Sequence, residues 1–116
     1  MPQTPQDNLD AMLLVITSLP SMDTAKALAK DLIESRLAAC VQLQEGIQSL
    51  YRWEGKICEE QEVLLSAKTM ATKWAEISAF IQDKHPYDLP EILAFSPEQY
   101  EYQYGKWAKS EVNSKS

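Results

Sequence analysis

Apolar and polar positions change period several times along this chain, and each change marks an element. Met12–Leu19, MLLVITSL, is a short apolar and partly β-branched run that stops at Pro20. It is too short for a helix and too apolar for an exposed strand, which predicts a buried strand. Ser21 then stands where an N-cap belongs, with Asp23 in the first turn. Ala25, Leu28, Ala29, Leu32, Ile33 and Leu37 follow at three-and-four spacing, which predicts an amphipathic helix of about four turns.

From Cys40 the period becomes two. Val41, Leu43, Ile47, Tyr51 and Trp53 share one parity, and Gln42, Gln44, Gln48 and Arg52 the other. Gly46 is expected to mark a bulge or bend in this strand. WEGK supplies a turn centred on Glu54-Gly55. A second alternating run follows, with Val63, Leu65 and Ala67 on one face and Glu60, Glu62, Ser66 and Lys68 on the other, so the two runs form a long hairpin. Thr69 or Thr72 is expected to cap a second helix that carries Trp74, Ile77, Phe80 and Ile81 and stops at His85-Pro86, because proline disfavours helical geometry in the residue before it. PEILAFSP predicts a third short buried strand after the hairpin, and EQYEYQYGKWAKSEV a closing helix.

The order β-α-β-β-α-β with a C-terminal helix predicts an α+β, ferredoxin-like fold. Residues 11–112 form its single domain, with a disordered tail over 1–10 and a flexible terminus over 113–116. Residues 40–53 fully extended run roughly 45 Å, against a diameter of around 35 Å for a domain of this size. The hairpin therefore overhangs its own domain, and Tyr51 and Trp53 near its tip make a sticky edge unless another subunit covers it. A homo-oligomer gripped by this arm is the expectation. Cys58 is expected opposite Arg52, roughly 40 Å along the strand from Cys40, too far for a disulfide. Both are expected as free thiols in a reducing compartment.

Composition narrows the function classes. The formal net charge of −6 over 116 residues weighs against nucleic acid, whose phosphates need a basic face. An RNA-recognition module shares this element order, but its third strand carries base-stacking aromatics; here that strand reads EEQEVLLSAKT, acidic and without an aromatic. No apolar run approaches the length of a membrane span, and MPQTPQDNLD has neither the basic nor the apolar region of a signal peptide, so a cytoplasmic protein is expected. Two cysteines without knuckle spacing exclude a zinc knuckle or an iron–sulfur cluster held by this chain alone.

RLAACVQ, SLYRWEGKI, EVLLSAKT and HPYDLPEI, in this order and spacing, resemble the signature segments of the CutA divalent-ion tolerance proteins over residues 12–110. The resemblance implies a homotrimer in which the hairpin embraces the next subunit, and a role in tolerance of divalent metals, chiefly copper. It implies no required cofactor and no established reaction. Trimers of similar build occur among nitrogen-regulatory signalling proteins, which suggests a signalling or adaptor role. In copper-binding members the implicated ligands are a first-strand cysteine and two adjacent histidines before PY. Those positions are Thr17, Lys84 and His85 here, so His85 is the one metal-ligand candidate that remains. One imidazole without a thiolate or second imidazole is a weak site for a borderline or soft metal.

Chemistry-bearing residues outside that set have simple readings. His85 follows a helix end, where a protonated imidazole is favoured by the dipole, and reads as a capping or interface histidine. Cys40 reads as a buried small residue, with a reactive thiol as the sharper alternative. Tyr51, Trp53 and Tyr87 read as interface aromatics, or as the lining of an intersubunit cleft shared with Glu62, Lys68 and Glu91. An enzyme using His85, Glu91, Lys68, Tyr51 and Tyr87 between subunits is the rival to a binding or signalling module, although no pairing of nucleophile and base is readable.

Overall fold

The apolar run Met12–Leu19 becomes strand β1, paired on both edges in a four-stranded antiparallel sheet. The computed structural model describes residues 11–113. After β1 come α1 (Met22–Glu34), β2 (Cys40–Trp53), β3 (Lys56–Met70), a 3-10 turn (Ala71–Lys73), α2 (Trp74–Lys84), β4 (Leu93–Phe95) and α3 (Tyr102–Asn113). The sheet order is β2-β3-β1-β4. The tail expected over 1–10 and residues 114–116 lie outside the described residues. Asn113, expected in the flexible terminus, is the last residue of α3.

Alternation along the strands separates the two faces of the sheet. Leu13, Val15 and Leu19 of β1 lie on the same side as Val63, Leu65 and Ala67 of β3. They meet Ala25, Leu28 and Leu32 of α1 and Ile77 and Ile81 of α2 in one buried core. Ser21 caps α1 as its position predicts, its Oγ accepting from the Thr24 amide at 3.2 Å. Leu37 is buried in the core but lies beyond the helix, whereas Ile33 is exposed. Neither Thr69 nor Thr72 caps α2: Thr69 is a buried residue of β3, and the 3-10 turn supplies the Ala71 carbonyl to the Trp74 amide instead.

The second face is covered at one end only. There Ala108 and Val112 of α3 pack on Met12 and Met70. Tyr100 holds this end, its hydroxyl accepting from the Met12 amide at 3.3 Å. Its ring lies so close to Gly105 that an added Cβ would sit 2.5 Å from it. The Glu101 carboxylate accepts from the Gln103 and Tyr104 amides at the start of α3, which holds its pKa below the usual carboxylate range. Arg36, in the left-handed region after α1, donates to the Glu111 carbonyl at 3.1 Å and pairs with its carboxylate.

The hairpin departs from the expected alternation at Gly46. Gln44 pairs with Leu64 but Ile47 pairs with Glu62, so β2 carries one extra residue there, with Gly46 at a φ of 82°. A one-residue bulge exchanges the faces of everything beyond it. Val41 and Leu43 therefore point to the core side, while Ile47, Tyr51 and Trp53 point to the opposite side with Glu60 and Glu62. Glu54 and Gly55, both at positive φ, form the two-residue turn that joins Trp53 to Lys56. That register places Cys58 opposite Tyr51, not Arg52. Cys40 pairs with Lys68 at the other end of the hairpin, and both thiols are free.

The overhang is present. The chain measures 47 × 35 × 23 Å, with a radius of gyration of 15.2 Å against about 13 Å for a compact domain of this length. Leu50 and Ile57 on one side of the arm are 65% and 73% exposed, and Trp53 on the other is 51% exposed. β4 is also uncovered: Leu93 and Phe95, expected in a buried strand, are 46% and 51% exposed because α3, the helix on their side of the sheet, covers only the end around Met12 and Met70.

Candidate functional site

The most connected polar cluster forms where β1 ends, α2 ends and the arm leaves the sheet. α2 stops at His85 because Pro86 follows, and His85 takes extended geometry while its amide still donates to the Ile81 carbonyl at 2.8 Å. This turns the imidazole under the end of β1, where His85 is only 8% exposed. Its Nε2 lies 2.8 Å from the Ser18 carbonyl oxygen, and its Nδ1 accepts from the Tyr87 amide at 3.1 Å. A carbonyl can only accept, so Nε2 carries the proton and the ring is neutral. Burial lowers the imidazole pKa, outweighing the Ser18 carbonyl and Glu62, which raise it. The protonated imidazole expected at this helix end is thus replaced by a neutral one, because desolvation and the Tyr87 amide at Nδ1 both oppose the charge.

Tyr87 extends the cluster towards the arm. Its ring lies 4.9 Å from that of His85, and its hydroxyl donates to the Glu62 carboxylate at 2.8 Å. Burial and then Glu62 push the phenol pKa well up. Along the same face, the Tyr51 hydroxyl donates to Glu60, and that bond pushes Tyr51 up to about 12. On the other side of His85, the Ser18 hydroxyl donates to Glu91 at 3.1 Å. Sequence reasoning missed Ser18; its only trace is a second hydroxyl, after Thr17, near the end of a mostly apolar strand two residues before Pro20.

His85, Tyr87, Glu62 and Glu91 are thus brought together, with Tyr51 further along the arm. Trp53 is not part of the cluster; it is paired with Lys56 at the turn. Lys68 is not part of it either. It stands six positions along β3 from Glu62, about 20 Å at strand rise, with its ammonium 5.6 Å from the Tyr104 ring centre. Cys40 lies beside Lys68, away from the His85 corner.

The three positions that the resemblance implies for copper do not converge. Thr17 points into the core, where its hydroxyl has no partner. Lys84 is exposed, with its ammonium over the Phe80 ring. His85 has no lone pair free, since Nδ1 accepts from Tyr87 and Nε2 carries hydrogen. Among the described residues, no group of three or more His, Cys, Asp or Glu side chains could hold a metal ion. The donor set does not fit a copper centre within one chain.

Comparison with known proteins agrees with the fold. The model of the CutA1 divalent ion tolerance protein family matches residues 13–111. The divalent-cation tolerance protein CutA of Thermus thermophilus is 38% identical over 96 residues, 83% of this chain and 93% of that protein. The crystal structure of CutA from Xylella fastidiosa is similar at a TM-score of 0.86 and 33% identity, covering 88% of this chain and 98% of that one. The periplasmic divalent cation tolerance protein CutA of Archaeoglobus fulgidus gives 0.85 at 32% identity, with 88% and 99% covered. With its residues matched almost from end to end of the fold, the chain belongs to the CutA1 divalent ion tolerance protein family.

Proposed function

We propose that this chain acts in divalent-metal tolerance, copper included, as a cytoplasmic homotrimeric binding or signalling module with no reaction of its own. The observation that carries the reading is the uncovered half of the sheet. Leu14, Ile16, Leu64, Leu93 and Phe95 share the face that α3 leaves bare, and the arm beside them carries exposed apolar residues on both sides. A contiguous apolar face of this kind, continued by an overhanging hairpin, suits burial against further copies of the chain.

His85 supports a structural role at the corner better than a base or a ligand, because both ring nitrogens are engaged by backbone groups. Among the described residues no nucleophilic side chain lies in a hydrogen bond with it. Native mass spectrometry at micromolar concentration is expected to give three times the chain mass, and a monomer overturns the assembly. Calorimetric titration with Cu(II) is expected to give the same isotherm for wild type and His85→Ala. Loss of a binding step in the variant would restore His85 as a ligand.

A further inference from the structure

The open face of the sheet carries opposite charges at its two ends, and neither is matched by an opposite charge among the described residues. Glu62 lies at the base of the arm, half-buried, with the Tyr87 hydroxyl as its hydrogen-bond donor. Lys68 lies at the α3 end of the same strand and the same face, half-buried beside Tyr104. Neither of them takes part in the ion pair of Arg36 with Glu111. The charges acting on Tyr87 and Tyr51 are those of acids and of other tyrosine or cysteine groups, with no cation among them. About 20 Å of strand keeps Lys68 from reaching Glu62 of its own chain.

Between these ends lies the bare apolar strip of Leu14, Ile16, Leu64, Leu93 and Phe95. Covering that strip with another copy removes water from both charges as well. An unpaired charge in a desolvated interface is strongly destabilising, whereas a matched pair with good hydrogen bonds is tolerated and fixes the register. We infer that Lys68 of one copy pairs with Glu62 of the next, so that the Tyr87–Glu62 corner is completed by the ammonium of the adjoining chain. In a closed head-to-tail ring every copy gives one lysine and receives one, so every Lys68 and every Glu62 finds a partner. This pairing rests on the assembly proposed above, and the second copy is chosen over a free ligand because the same chain supplies both halves of the match.

Charge reversal tests it. Glu62→Lys, Lys68→Glu and the combined swap are compared by sedimentation equilibrium and native mass spectrometry, with far-ultraviolet circular dichroism as the check on folding. Each single reversal is expected to raise the assembly dissociation constant more than about tenfold, and the combined swap to return it to within about threefold of wild type. A wild-type monomer would overturn the assembly and the pairing together. An intact wild-type trimer whose combined swap is no better than the worse single variant overturns the pairing alone. Single reversals that leave the constant unchanged also overturn it, and would turn attention to a free organic ammonium as the group that faces Glu62. If a reversal prevents folding, Glu62→Gln, Lys68→Gln and their combination give the same decision: coupling above about tenfold supports the pair, and additive effects overturn it.

Discussion

The two faces of one sheet have had opposite treatment from the same strands. On the core side, Val15, Leu65 and Ala67 lose all exposure beneath α1 and α2. On the other side, α3 closes only the end around Met12 and Met70, and Leu93 and Phe95 remain about half exposed. Both faces are apolar where their strands are central, so hydrophobicity alone does not say which is finished. The difference lies in what the connections supply: α1 and α2 pack across one face, and α3 is placed over one end only of the other. One face therefore stabilises the chain itself, and the second stabilises its contacts.

The sharpest test of that division compares neighbouring leucines of β3. Leu65→Ala on the core face is expected to cost about 3 kcal/mol of subunit stability, since the site is fully buried and packed from both helices. Leu64→Ala on the open face should cost the isolated subunit much less and act on assembly instead. Urea unfolding combined with sedimentation reads both, and equal losses of subunit stability would break the comparison.

The end that α3 does close can be opened selectively. Gly105→Ala puts a methyl group against the Tyr100 ring and is expected to lower stability by about 1–3 kcal/mol, as overpacking does. Tyr100→Phe, which removes only the bond to the Met12 amide, should cost about 1 kcal/mol. Thermal unfolding that ranked the two in reverse would show that the hydrogen bond, and not ring packing, holds α3. An effect of the same size as Tyr100→Phe is expected for Ser21→Ala, about 1 kcal/mol from loss of the α1 cap on the finished face.

Acid should probe the corner between the two faces. The folded His85 imidazole titrates below its unfolded value, so the unfolded chain binds the proton first. The contribution is fully present above the unfolded value near 6.5 and is lost as pH falls through the lowered folded value. Urea midpoints should thus decline below about pH 6.5, more steeply for wild type than for His85→Ala. A midpoint that rose as pH fell through this window would mean that the folded state binds the extra proton.

Much of this was legible in the chain. The strand Met12–Leu19 and the Ser21 cap follow from local pattern, since a short apolar run before proline and a serine before an amphipathic period each have one good backbone solution. The element order, the long hairpin and its overhang follow in the same way. Gly46 was visible as an irregularity, but its consequence was not: one inserted residue moved Ile47, Tyr51 and Trp53 to the face opposite Val41 and Leu43. The corner was only half legible, because HPYDLPEI names its residues while the partners Ser18 and Glu62 come from strands far away in sequence.

What the sequence determined by itself is the set of elements, their order and the family resemblance, because these depend on local geometry, on periodicity and on motifs in fixed spacing. Tertiary structure alone decided which nitrogen of His85 carries the proton, that Glu62 meets the Tyr87 hydroxyl, and that half of the sheet is left uncovered. Each of those depends on where distant strands and helices meet. Burial and hydrogen-bond partners are properties of that meeting, and no local pattern encodes them.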